Sequence, residues 1–183
     1  MDAWKIKKQE YIEKNSWVAL RRDTCVTPLG KTIPDYYVLE MQDVSCVIAF
    51  TVDHKIILIE EYKHGVQKKI LQIPCGYIEK GEKAEETAKR ELLEETGYTG
   101  KKWFSLGSFS GSPGRLTHYY HFFLALNCEK TQEPTQDELE NVHPFVCSFS
   151  EAEKLVLQKN TDLVTPLGLS LAKEFLKHKG MHA

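Results

Sequence analysis

Ala84, Ala88, Glu91 and Glu95 recur at steps of four, three and four residues. On a helix of about 3.6 residues per turn these positions form one stripe. Glu94 lies beside Glu91 and Glu95, with Leu92 on the edge of the stripe. Small residues let a helix lie close to its neighbours, so the stripe should be the packed face, and it carries carboxylates. A buried carboxylate must be paired or must hold a cation. Three within one turn repel one another and shift upward in pKa unless positive charge is supplied. An ordinary Glu/Lys-rich helix is a solvated face laced by i,i+4 pairs. The spacing here argues for chemistry instead. The ends agree. Pro74-Cys75-Gly76 and Lys80-Gly81 break the chain before the helix. Gly97 stands where a left-handed C-terminal residue is expected. Arg90 is placed to orient the carboxylates by bidentate hydrogen bonds.

The rest of the chain reads mostly as strands. Residues 4–14 are polar and read as a short helix or an arm. Ser16–Thr24 and Tyr36–Met41 read as strands joined through the turn signal Pro28-Leu29-Gly30-Lys31. Val44–Val52 and Lys55–Tyr62 are apolar, β-branched runs around Asp53-His54, a hairpin signal. Lys69–Ile73, Trp103–Ser108, His118–Cys128 and His143–Phe149 are further strands, and Thr131–Glu140 reads as a loop. Ser150-Glu151-Ala152-Glu153 has the form of a capping box opening a helix to about Lys159. Thr165-Pro166 places an N-cap before a first-turn proline, opening a last helix to about His178. Strands and three helices in this order imply a mixed sheet between helices.

Composition narrows the function. The 183 residues carry a net charge of −2 with both signs dispersed, which disfavours a nucleic-acid polymer as partner. No apolar run reaches the ~18 residues of a membrane span, and the first residues lack the apolar core of a signal peptide. Cys25, Cys46, Cys75, Cys128 and Cys147 are scattered without a C-x-x-C pair, which favours neither zinc nor a disulfide framework. A reducing cytoplasm is the expected compartment. His118 and His121, at i,i+3 in a strand, point to opposite faces and do not read as a metal pair.

The segment Gly76–Tyr98 resembles the Nudix box, Gly-x5-Glu-x7-Arg-Glu-U-x-Glu-Glu-x-Gly-U, with U aliphatic. Gly76, Glu82, Arg90, Glu91, Leu92, Glu94, Glu95 and Gly97 match, and Tyr98 departs from the final aliphatic position. The resemblance implies an α+β Nudix fold: an α/β/α sandwich around a mixed β-sheet, here with an N-terminal antiparallel β extension. It implies hydrolysis of a nucleoside diphosphate linked to another moiety, using Mg²⁺ or Mn²⁺ and an attacking water. Glu91, Glu94 and Glu95 would be metal ligands, Glu82 a support or further ligand, and Arg90 the group orienting them. Cys75 would offer its backbone carbonyl to the metal. Magnesium suits a few carboxylates completed by phosphate oxygens and water.

Flanking residues resemble the ADP-ribose pyrophosphatase branch. Residues 1–43 are expected to be a β region for dimerisation and substrate binding, and residues 44–183 the hydrolase domain. In that branch the N-terminal region supplies aromatics that stack on adenine, and Trp17 and Tyr36 are the positions that carry over. Pro113, fifteen residues after Tyr98, matches a proline associated with ADP-ribose hydrolysis. Lys63 and Arg115 would contact phosphate. The acidic loop Asp137–Glu140 would supply Glu138 as general base and Glu140 as a further metal ligand. Three departures bear on substrate rather than reaction class: Gln72 in place of a usual Glu, Cys75 in place of Ala, and Tyr62-Lys63 in place of Tyr-Arg. The expected partner is a small nucleoside diphosphate substrate, in a homodimer. The rival readings are another sugar nucleotide such as GDP-mannose, and a sensor that binds ADP-ribose without turnover.

Overall fold

A computed structural model describes residues 2–135 and 141–181. Its elements run β1 (Lys5–Lys14), β2 (Val18–Val26), β3 (Thr32–Met41), β4 (Val44–Thr51), β5 (Ile56–Lys63), β6 (Lys68–Gln72), β7 (Cys75–Tyr77), α1 (Ala84–Thr96), β8 (Tyr98–Thr99), β9 (Lys102–Ser110), β10 (Tyr119–Lys130), β11 (His143–Cys147), α2 (Phe149–Gln158) and α3 (Val164–His178). They fall into two compact units. One comprises residues 1–43 with 109–119, and the other residues 44–108 with 120–183.

The first unit is a three-stranded antiparallel sheet in the order β1-β2-β3. Segment 4–14, expected as a helix or an arm, is strand β1. Its polar sequence buries almost nothing, so its own pattern carried no strand signal. The ladder to β2, from Lys5 opposite Val26 to Lys14 opposite Ala19, satisfies its backbone.

The second unit holds an eight-stranded sheet with the path β11-β5-β4-β10-β8, to which β6, β7 and β9 add through β5, β4 and β10. The β4–β10 pairing is parallel and the β4–β5, β4–β7 and β5–β6 pairings are antiparallel, so the sheet is mixed. Strand β4 is buried along nearly its whole length because both of its faces are covered. Cys46, Ile48 and Phe50 belong to a core completed by Leu169, Ala172 and Leu176 of α3 and Ala152 of α2. Val47 and Ala49 face the other way, toward Ala88 and Leu92 of α1. Sheet between helices is the sandwich expected from the order of elements. Gly168 sets the spacing of α3, since a Cβ there would lie 2.9 Å from Ile73 Cδ1 and 3.2 Å from Ile48 Cγ1. Leu92 is fully buried, and truncating such a leucine to alanine typically costs about 2–5 kcal/mol.

Two helix starts differ from expectation. The α2 cap is Ser148, whose hydroxyl accepts from the Glu151 amide at 3.2 Å, and Ser150 lies inside the first turn. In α3, Asp162 accepts from the Thr165 amide at 2.8 Å, while the buried Thr165 hydroxyl accepts from Ile73 N. Burial took Thr165 out of the capping position and gave its hydroxyl to the sheet. Among the described residues no helix is long and apolar enough to cross a membrane.

Candidate active site

Helix α1 lies on the sheet by its small-residue stripe: Ala88 and Leu92 are fully buried and Glu95 nearly so. The helix stops because Gly97 takes φ 77°, a left-handed conformation, and donates its N–H to Leu93 O at 2.8 Å. Space also demands glycine at position 97, where a Cβ would lie 2.1 Å from Gln132 O. The segment after β10 returns to this helix end. Thr131 N donates to Gly97 O and Thr135 N to Glu94 O, both at 2.8 Å.

Arg90 is the hub of the carboxylates. Its Nε and Nη2 form a fork on Glu82, at 3.1 and 3.2 Å. Its Nη1 donates to Glu91 Oε1 at 2.7 Å and to Glu94 Oε2 at 3.0 Å. This pairing holds the Glu82 carboxyl at a pKa of about 2, well below the usual range, and raises the already high pKa of Arg90. Glu91 fills the notch over Gly76, where a Cβ would lie 2.0 Å from Glu91 Oε1. Glu95 points inward and accepts the Cys75 amide at 3.1 Å. Burial, then the proximity of Cys75, Glu91 and Glu61, pushes its carboxyl well above the usual range, with Lys63 acting the other way.

A buried pair sits beside Glu95. The Gln72 amide donates to Glu61 Oε1 at 2.5 Å, and Lys63 forms an ion pair with Glu61. Burial lowers the Lys63 pKa, but the hydrogen bond and charge of Glu61, with the neighbouring Cys75 and Glu95, together leave it raised. Glu61 was not singled out in the sequence. Its signal was its place at the inward end of the apolar run of β5, where a solvated residue would not be expected. Gln72, noted only as a departure, is its partner.

Fit to a divalent cation follows from the donors. Among the described residues, no three His, Cys, Asp or Glu side chains already converge as a metal cage. Glu91 and Glu94 are turned to Arg90, and Glu95 to the Cys75 amide. Yet the set offers hard oxygen donors within one helical turn, a notch without a side chain at Gly76, and a buried carboxyl whose ionisation needs positive charge. These residues fit Mg²⁺ or Mn²⁺.

In the first unit, Tyr36 hydrogen-bonds the Gly114 carbonyl, and the Arg115 guanidinium lies 4.2 Å from the Tyr36 ring centroid. Arg115 Nη1 also donates to Tyr37 O at 3.0 Å. Tyr36, Arg115 and the Pro113-Gly114 turn are thus brought together. Trp17 stands 69% exposed in the turn between β1 and β2. Trp4, missed in the sequence, lies edge-on to Tyr36 at 5.6 Å. In the sequence its segment reads as a short polar helix or an arm, which hides it. Glu138 and Glu140 lie outside the described residues.

Residues 40–166 match the NUDIX domain family. The chain belongs to the Nudix family. Residues 4–39 match the nucleoside diphosphate sugar hydrolase N-terminal domain. As a Nudix hydrolase the chain falls in a family whose members generally need a divalent metal ion. It is 34% identical over 176 residues to a methanol dehydrogenase activator of Bacillus methanolicus, covering 94% of this chain and 95% of that protein. It is 40% identical over 111 residues to an ADP-ribose pyrophosphatase of Bacillus subtilis (strain 168), covering 60% of each. A solved structure of an ADP compounds hydrolase shares the fold at a TM-score of 0.84 and 21% identity, over 100% of this chain and 98% of that one.

Proposed function

We propose that this Nudix hydrolase cleaves the pyrophosphate bond of ADP-ribose or a related nucleoside diphosphate sugar, giving a nucleoside monophosphate and a sugar phosphate. The observation that carries the reading is the intact carboxylate set around Arg90, with Glu91 in the Gly76 notch and Glu95 buried. A sensor without turnover has no use for it. The match of residues 4–39 to a nucleoside diphosphate sugar hydrolase N-terminal domain supports the substrate class.

Glu91, Glu94 and Glu95, the Cys75 carbonyl and Glu140 would hold the metal, Mg²⁺ by preference and Mn²⁺ as a substitute. When bound, the metal supplies Lewis-acid polarisation of the phosphoryl group and lowers the pKa of the attacking water. Arg90 orients Glu91 and Glu94 and shields their mutual repulsion. Lys63 and Arg115 neutralise phosphate oxygens. Pro113 shapes the turn that carries Arg115. Tyr36 and Trp17 offer ring faces to the base, with Trp4 beside Tyr36. Glu138 takes the proton of the water as its oxygen bonds to phosphorus and the bond to the bridging oxygen breaks. Residues 1–43 form the dimerisation and substrate-binding region and residues 44–183 the hydrolase domain, in a cytoplasmic homodimer.

The test is a turnover screen of purified protein with Mg²⁺ against ADP-ribose, GDP-mannose and other nucleoside diphosphate derivatives. Release of AMP and ribose 5-phosphate from ADP-ribose is expected. Preferential cleavage of GDP-mannose moves the substrate. Tight ADP-ribose binding without products moves the protein to the sensor class.

A further inference from the structure

Cys46 and Cys75 face each other across the antiparallel ladder between β4 and β7. Val47 N donates to Pro74 O at 2.9 Å, which makes Val47–Pro74 a hydrogen-bonded pair. The next pair along, Cys46–Cys75, is therefore a non-hydrogen-bonded pair. The Cys75 amide confirms this independently, since it turns away from β4 and donates to Glu95. Non-hydrogen-bonded pairs hold their Cα atoms about 4.5 Å apart, with side chains close together. Disulfides span Cα separations of about 4.4–6.8 Å. The two side chains are direct cross-strand neighbours on one face of the sheet. None of the other three cysteines has this geometry: Cys25 faces Ile6 and Ile33, Cys128 faces Thr51, and Cys147 faces Ile56.

We propose that Cys46 and Cys75 are a redox pair that a hydroperoxide closes to a disulfide, and that closure disables the site by moving the β7 backbone. Cys75 reacts first, because it is half-buried whereas Cys46 is fully buried. The Cys75 sulfur attacks one peroxide oxygen and the O–O bond breaks. The departing oxygen takes the thiol proton, leaving a sulfenic acid and water or an alcohol. The Cys46 sulfur then attacks the Cys75 sulfur, the S–S bond forms, and the S–O bond breaks. The hydroxide released takes the Cys46 proton and leaves as water. The thiols lose two electrons and the hydroperoxide gains two.

Closure draws the two facing sulfurs together into a covalent bond. The Cys75 amide that holds Glu95 and the Gly76 notch that seats Glu91 belong to the same three-residue strand. Misplacing catalytic groups by about 1 Å can cost ~10²-fold in rate.

The experiment treats the purified, reduced protein with hydrogen peroxide and maps its peptides by mass. A cross-linked peptide pair containing Cys46 and Cys75, lighter by two hydrogens, is expected. Turnover should fall about tenfold or more and return with dithiothreitol, within the range for misplaced catalytic groups. Cys46→Ala should keep its starting turnover and form no such cross-link, and Cys46→Ser serves the same purpose if the alanine variant does not fold. Oxidation that leaves these two cysteines unlinked, or a mapped cross-link with turnover unchanged, overturns the proposal. Loss of turnover rests on the proposed hydrolysis, but the cross-link is scored by mass. Reduced protein inert on every nucleotide contradicts the hydrolase reading alone.

Discussion

Glu91 occupies the space that a side chain on Gly76 would need, with its Oε1 2.0 Å and its carboxyl carbon 2.2 Å from where a Cβ would lie. The atoms in the way are the end of a side chain, not backbone, so the fold can give way there. Gly76→Ala is therefore expected to displace the Glu91 carboxylate while barely changing the melting temperature. Turnover should drop by about 10- to 100-fold, the usual cost of disturbing a metal site. Calorimetry beside steady-state kinetics checks both halves. A large loss of stability with turnover intact per folded molecule would reverse the assignment.

Glu95→Gln and Glu94→Gln should each lower turnover by about 10²-fold, at the upper end for disturbed metal sites. The two should differ in stability. Glu95 is buried beside Glu91 and Glu61, and removing its charge relieves repulsion, whereas Glu94 is 46% exposed and paired with Arg90. Thermal unfolding in chelator should show Glu95→Gln at least as stable as the parent. Activity of both variants surviving in chelator would remove the metal from the reaction.

The pH response of metal-free protein has a defined sign. Glu82 ionises near pH 2 when folded, against an ordinary value of 4.5. Its pairing with Arg90 therefore stabilises fully above about 4.5 and is lost as pH falls toward about 2. Glu95 behaves oppositely. Its folded pKa is raised, so its contribution is most favourable below the unfolded value and is lost as pH rises through the folded one. Urea midpoints of parent and Glu82→Gln should converge as the pH is lowered through that window. A constant gap would dissociate Glu82 from Arg90.

Glu138→Gln should depress kcat by ~10²–10⁴-fold, the usual contribution of a positioned base, and leave KM nearly unchanged. Single-turnover measurements with saturating Mg²⁺ decide. A fall below about fivefold, far under that contribution, moves the base to a box residue such as Glu94.

The N-terminal sheet exposes Trp4, Ile6, Tyr11, Ile12, Trp17 and Tyr37, and aromatic residues are favoured in interface cores. Light scattering is expected to give a dimer. A fully active monomer at working concentration would assign these side chains to another role.

The box helix was legible because its period and its carboxylates pointed the same way, and Gly97 marked its end. The central strands were legible because burial on both faces writes itself as unbroken apolar runs, as in β4. Strand β1 was not, because ladder hydrogen bonds use backbone, which leaves no trace in a polar sequence. The Glu61–Gln72 pair was hidden for another reason. The two residues meet only through strand register, 11 positions apart in the chain, and each looks ordinary alone. The caps of α2 and α3 were each misplaced by a few residues, since several hydroxyl and acidic groups competed and packing chose among them.

Thr131 and Thr135 are moored to the last turn of the helix that bears Glu91, Glu94 and Glu95. The backbone of Thr131 and Thr135 thus has a fixed berth on the carboxylate helix. A pull on Thr135 is passed by a single backbone hydrogen bond to Glu94, the residue whose carboxylate Arg90 holds from the other side.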